Sequence, residues 1–221
     1  MTSISLISLG CAKNLVDSEH MLSALRTAGY TITNSMADAD VAIINTCGFI
    51  EAAKTEAIEA ILDTARYKET GHLKGLIVTG CLAQRYQKEI KEELPEVDVI
   101  CGTGSYTAIV QAVQDALAGK KAAYMADITS AALEGARDRL TPPYTAYLKI
   151  AEGCSNRCAY CIIPKLRGPY RSRPLNALLD EARALSAEGV RELIVIAQDI
   201  TKYGLDLPAQ KRLLPTLLQE L

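Results

Sequence analysis

Three cysteines, Cys154, Cys158 and Cys161, form a C-x3-C-x2-C run directly after an expected strand. Three thiolates this close together can hold a four-iron cluster, which normally takes four protein thiolates. Three ligands leave one iron open, and an open coordination position separates a reactive metal centre from a structural one. A structural zinc site would need a fourth ligand, and the only two histidines, His20 and His72, lie outside this loop. A thioredoxin-like Cys158-x-x-Cys161 pair would leave Cys154 without a role.

Cys11, Cys47 and Cys81 each follow an apolar run. In a parallel sheet the strands share a C-terminal edge, and open α/β sheets bind ligands along it. Cysteines one strand–helix repeat apart can therefore converge there as a second set of three thiolates. The plain alternative is that each is a buried, small hydrophobe. Cys101 also follows a strand, so position alone leaves open which three of the four act together. Seven cysteines, an odd number, argue against a disulfide framework and for metal or redox chemistry in a reducing compartment.

The elements that must place these residues are readable from hydrophobic periodicity. Ser3–Leu9, Asp40–Asn45, Gly75–Thr79 and Val97–Ile100 are expected as buried strands. Helices are expected near 14–28, 50–69, 83–94 and 104–118, the second carrying Ile58, Ile61 and Leu62 at helical spacing. This alternation predicts an α/β domain over 1–125, a doubly wound, mainly parallel sheet with helices on both faces. Residues 126–143 lack periodicity and end in Pro142-Pro143, which predicts a linker. A second domain is expected over 144–221. It would have a strand at Tyr144–Ile150, a helix from Pro174 to about Glu188 capped by Gly189, a strand at Arg191–Ala197 and a further helix from Pro208 to Leu221. That pattern gives the first units of a (β/α) barrel, whose closed form needs about eight. A fragment of a longer protein is expected.

Charge and composition narrow the function class. The net charge is −2, with 24 Lys and Arg against 26 Asp and Glu, so direct nucleic-acid binding is not evident. The first ten residues lack the basic and long apolar regions of a signal peptide, and no apolar run would span a bilayer. A cytoplasmic protein with no membrane contact is the expectation. Gly102-Thr103-Gly104 lacks the third glycine of a dinucleotide loop and is expected as a plain helix-start turn. Lys165, Arg167, Arg171 and Arg173 make a basic run, either a solvated loop or contacts to the carboxylates of a cofactor or substrate. His20 and His72 are expected as surface residues.

The cysteine loop resembles the signature of the radical S-adenosylmethionine enzymes. The segments Leu9-Gly10-Cys11-Ala12-Lys13-Asn14-Leu15-Val16-Asp17-Ser18-Glu19, Asn45-Thr46-Cys47-Gly48-Phe49 and Thr79-Gly80-Cys81-Leu82 are similar to three motifs of ribosomal-protein methylthiotransferases of the RimO type. So are Ile163-Pro164-Lys165-Leu166-Arg167-Gly168, Arg171-Ser172-Arg173, and Ala197-Gln198-Asp199 with Tyr203-Gly204. The resemblance covers essentially the whole chain. It implies an auxiliary four-iron, four-sulfur (4Fe-4S) cluster on Cys11, Cys47 and Cys81, a radical 4Fe-4S cluster on Cys154, Cys158 and Cys161, and a structural Cys101. It further implies S-adenosyl-L-methionine (SAM) chelated at the open iron and cleaved by an external electron donor's electron to a 5′-deoxyadenosyl radical. Tyr160 is expected to pack on the cofactor's adenine, with Gln198 and Asp199 near its polar end.

The implied reaction is β-methylthiolation of an aspartate on protein twelve of the small ribosomal subunit. The transfer-RNA methylthiotransferases share both cluster patterns but are less similar around Ala12-Lys13-Asn14-Leu15 and Ala197-Gln198-Asp199. A non-catalytic cluster-binding fragment is the reading from another class. The family pattern continues into the rest of the barrel and a small β-barrel domain absent from this sequence, so the chain alone is expected to lack part of the site.

Overall fold

A computed structural model describes residues 1–69, 71–129, 134–208 and 210–221. The chain divides into two compact units, one beginning at Met1 and including Ala136–Asp138, the other holding Arg139–Leu221. The expected linker at 126–143 falls partly on residues 130–133, which lie outside the described residues.

The first unit runs β1 (Ser3–Ser8), α1 (Ala12–Thr27), β2 (Thr31–Ile32), β3 (Val41–Thr46), α2 (Glu51–Glu69) and β4 (Gly75–Gly80). It continues with α3 (Cys81–Arg85), α4 (Gln87–Glu93), β5 (Val99–Cys101), α5 (Ile109–Leu117) and β6 (Ala122–Tyr124). The strands form one sheet in the order β2-β1-β3-β4-β5-β6, every pair parallel. This is the expected doubly wound sheet. β3 is buried on both faces, which explains its unbroken apolar run. Ala42 and Ile44 pack with Ala57, Ile61 and Ala65 of α2, whereas Val41 and Ile43 pack with Met21 and Leu25 of α1 and Ile109, Ala112, Val113 and Ala116 of α5.

Several local expectations are corrected. The buried stripe of α2 is Ala57–Ile61–Ala65, so Ile58 and Leu62 are exposed. The helix expected near 83–94 is two, broken at Tyr86, whose φ of −124° and ψ of 36° are not helical. β2 and β6, of two and three residues, are edge strands too short to leave a sequence pattern. His20 is buried: its ring stacks on Tyr106 at 6.0 Å and its Nδ1 lies 3.1 Å from the Ala136 carbonyl. Beside it, Glu19 and Arg137 form a buried ion pair at 3.2 Å. His72 is exposed, as expected.

Asp40 joins the start of β1 to β3. Its carboxylate accepts from the Ser3 N–H at 2.8 Å and pairs with Lys74 at 2.8 Å. The Lys74 ammonium first, then the Ser3 N–H, lower this carboxyl from 3.8 to about 2. A depressed folded-state pKa stabilises above the unfolded value and is lost as pH falls through the folded one. The melting-temperature gap between the parent and Asp40→Asn is therefore expected to be full above 3.8 and to close as pH falls towards 2. Lys74 is largely exposed, so the gap is small.

The second unit runs β7 (Thr145–Lys149), β8 (Ala151–Glu152), α6 (Ile163–Arg167), β9 (Arg171–Ser172), α7 (Leu175–Ala187), β10 (Glu192–Ile196) and α8 (Leu214–Glu220). β7 and β10 pair in parallel, joined through α7 as one strand–helix–strand unit. β8 and β9 pair antiparallel and bracket the cysteine loop and α6. Leu148, Ile150, Leu178, Leu179, Tyr203 and Leu217 make the core. Pro174 is the N-cap of α7 rather than its first residue, and Gly189 follows the C-cap Glu188 with φ +94°. The helix expected from Pro208 begins only at Leu214, with Pro215 in its first turn; position 209 lies outside the described residues. No helix among the described residues is long and apolar enough to cross a membrane.

Candidate functional site

β1, β3 and β4 are neighbours in the sheet, so the segments that follow them emerge side by side at its C-terminal edge. The strand order reverses between β1 and β3, the position where open α/β sheets leave a crevice for ligands. Cys11 is the N-cap of α1 and exposed, Cys47 follows β3 and is half-buried, and Cys81 opens α3 and is buried. Cys101 differs from all three. It lies within β5 under α5, fully buried, and burial pushes its thiol up to about 12.

Close backbone approach brings the three segments together. Gly10 has φ +87°, and a Cβ there would lie 2.6 Å from the Cys47 Cβ. Gly80 has φ +94°, and a Cβ there would lie 2.5 Å from both the Asn45 Oδ1 and the Thr46 carbonyl. Behind the thiols is a layer of buried polar side chains: Asn14, Ser18, Asn45, Thr46 and Thr79. Thr46 Oγ1 donates to the Thr79 carbonyl at 2.5 Å, and Asn45 Nδ2 donates to the Asn14 carbonyl and to Ser18 Oγ, each at 2.8 Å. The Gly102-Thr103-Gly104 turn is filled by the Gln84 carboxamide, which accepts from the Thr103 N–H at 3.1 Å; this fits the plain-turn reading.

In the second unit the cysteine loop lies between β8 and α6. Cys154 is buried and its N–H donates to the Gly168 carbonyl at 3.0 Å. Cys158 is exposed, Cys161 is half-buried, and the Cys161 N–H donates to the Cys158 carbonyl at 3.0 Å. Asn156 anchors the loop: its Nδ2 donates to Asp199 Oδ2 at 3.1 Å and its Oδ1 accepts from Lys202. Asp199 also accepts from the Thr201 hydroxyl at 2.6 Å and the Thr201 N–H at 3.1 Å, and these bonds, with that from Asn156, hold its carboxyl below the usual range. Gln198 is half-buried and Tyr160 is 88% exposed.

The basic run divides in a way the sequence did not suggest. Arg167 and Arg173 are buried and ion-paired, so they are not a solvated loop. Glu152 Oε2 accepts from Lys149 Nζ at 3.1 Å and from Arg167 Nη1 at 3.2 Å, while its Oε1 accepts from the Gly153 N–H at 3.1 Å. Arg173 pairs with Glu181 at 2.6 Å. Lys165 alone is fully on the surface, with Arg171 half-buried.

All seven cysteines are free thiols. Among the described residues, no three His, Cys, Asp or Glu side chains gather closely enough to share one metal ion. A cubane cluster carries its thiolates on separate irons, so it does not demand single-ion spacing. Two sets of three soft sulfur donors, each with an exposed or half-buried member, fit that kind of group.

Residues 3–102 match the family model described as "Uncharacterized protein family UPF0004", and residues 148–214 match the radical SAM superfamily. A protein of Desulforamulus reducens named "Ribosomal protein uS12 methylthiotransferase RimO" is 56% identical over 96% of this chain and 48% of its own length. Proteins of the same name from Clostridioides difficile and Geobacter sulfurreducens are 53% and 52% identical over 100% and 99% of the chain. Along nearly its whole length the chain is similar to radical SAM methylthiotransferases. It spans about half the length of the curated relatives it matches.

The residues that the linear reading left without roles are the polar ones beside the thiols. Asn14 was visible in the first motif, yet its partners Leu9 and Thr46 come from two separate segments. Glu152 was visible beside the cysteine loop, but nothing in a linear reading shows a carboxylate shared by two buried cations.

Proposed function

We propose that the chain holds two 4Fe-4S clusters, one on Cys11, Cys47 and Cys81 and one on Cys154, Cys158 and Cys161. It would serve β-methylthiolation of an aspartate on small-subunit ribosomal protein uS12. The observation that carries this reading is the presence of two separate free-thiol triads, one per unit, in a chain more than half identical to a RimO protein. Cys154, Cys158 and Cys161 would hold the cluster that, with SAM and an external electron donor, would supply the radical chemistry, and Cys11, Cys47 and Cys81 would hold the cluster at which sulfur would receive a methyl group from SAM. The chain's own residues position these groups. Asn156, tied to Asp199 and Lys202, fixes the cysteine loop, and Glu152 pins its entry through the Gly153 N–H. Gln198 and Tyr160 flank the cofactor in this reading.

The test is anaerobic quantification of iron and sulfide, with electron paramagnetic resonance (EPR), on the reconstituted chain and on Cys154→Ala/Cys158→Ala/Cys161→Ala. About eight irons falling to about four, with the SAM-sensitive signal lost, is the expected result for two clusters with three protein ligands each. Stoichiometric zinc instead of iron would overturn the radical assignment.

A further inference from the structure

We propose that Asn14 is a positioning residue for the auxiliary cluster, holding the three strand-end thiols at their mutual spacing. The inference rests on reading Cys11, Cys47 and Cys81 as that cluster's ligands. Asn14 is fully buried. Its Nδ2 donates to the Leu9 carbonyl at 3.1 Å and to the Thr46 carbonyl at 2.8 Å. Leu9 lies two residues before Cys11, and Thr46 immediately precedes Cys47. Both amide hydrogens are thereby used, which fixes the carboxamide's orientation and leaves Oδ1 on the other side. There it faces the Cys81 Sγ at 4.0 Å. One side chain thus reaches all three cysteine-bearing segments.

The carboxamide is itself held. Asn45 bonds the Asn14 backbone carbonyl and also Ser18, whose hydroxyl donates to Ser8 Oγ at 2.8 Å. Asn14 cannot move without breaking this layer. Few other side chains could replace it. Aspartate has no donor for the two carbonyls, and serine has one donor and is too short for both. Either change would lose at least one of these two bonds and so loosen one cysteine segment from the others.

The test uses the chain carrying Cys154→Ala/Cys158→Ala/Cys161→Ala as parent, so that only the N-terminal thiols remain as a site. Asn14→Ser and Asn14→Asp are compared with Ile61→Val, a core change in α2 that lowers stability without removing any of the hydrogen bonds Asn14 makes. Iron per chain, its removal by a ferrous chelator and the EPR signal of the reduced cluster are measured at matched melting temperatures. Residues that orient metal ligands typically govern affinity by 10–100-fold, so the Asn14 variants are expected to lose iron at about 10- to 100-fold lower chelator concentration, with an altered signal. Ile61→Val is expected to behave as the parent. Asn14 variants that match a loaded parent in both readouts, or Ile61→Val reproducing their loss, would overturn the assignment. A parent that takes up no iron would remove the cluster reading and this inference together.

Discussion

Glu152→Ala is expected to lower stability by about 3–5 kcal/mol, the usual consequence of removing one member of a buried ion pair. Lys149 and Arg167 are 1% and 3% exposed at their side chains, and both place a charged nitrogen on the same carboxylate oxygen. Deleting that carboxylate removes a shared partner from two cations in low dielectric, and their desolvation is then offset less. Glu152→Gln keeps an acceptor for the Gly153 N–H and is expected to lose less. The loss should concentrate in the second unit, where Glu152 joins β8 to the cysteine loop and α6. Denaturant unfolding of the parent and both variants measures it. A Glu152→Ala effect within about 0.5 kcal/mol, typical of surface substitutions, would mean that water reaches both cations.

The same cluster shows where a linear reading stops. Strands β3 and β4 were legible because both faces are buried, which writes a continuous apolar run into the sequence. Parallel pairing put the strand ends, and with them Cys11, Cys47 and Cys81, at one edge of the sheet; that β1, β3 and β4 are neighbours there was not legible and comes from the structure. Burial of charge was not legible. Arg167 and Arg173 read as solvent-facing or ligand-facing because their partners, Glu152 and Glu181, are set by three-dimensional packing rather than by spacing. His20 failed similarly: a helical pattern marks one core face, yet α1 is also covered by Tyr106 and the 136–138 segment. Ile58 and Leu62 failed in the opposite sense. The small residues Ala57 and Ala65 take the contact with the sheet, and the larger apolar ones remain outside. Cys101 separates from the other cysteines by lying within β5 under α5 rather than beyond a strand end, a difference its apolar run does not reveal.

Gly80→Ala should have the other large effect, and Gly29→Ala separates its causes. Both glycines have positive φ, +94° and +88°, and Gly80 adds a ψ of −157°, a region held almost only by glycine, so its backbone strain is the larger. An added methyl at Gly29 meets nothing within 4 Å, so only left-handed backbone strain remains, about 1–2 kcal/mol. At Gly80 the methyl would press on the Thr46 backbone, with its carbonyl 2.5 Å and its nitrogen 2.9 Å away. Backbone cannot swing aside as a side-chain end can, so a further ~1–3 kcal/mol of overpacking is expected on top of the strain. Relief requires β3 and the start of α3 to separate, which carries Cys81 away from Cys47. Gly80→Ala is therefore expected to melt lower than Gly29→Ala and, on the cluster reading, to take up less iron at the N-terminal site, while Gly29→Ala keeps the parent's iron content. Equal melting temperatures for the two variants would show that the strand ends can yield. Lower melting of Gly80→Ala with undiminished iron would show that cluster binding does not depend on the approach of these two segments.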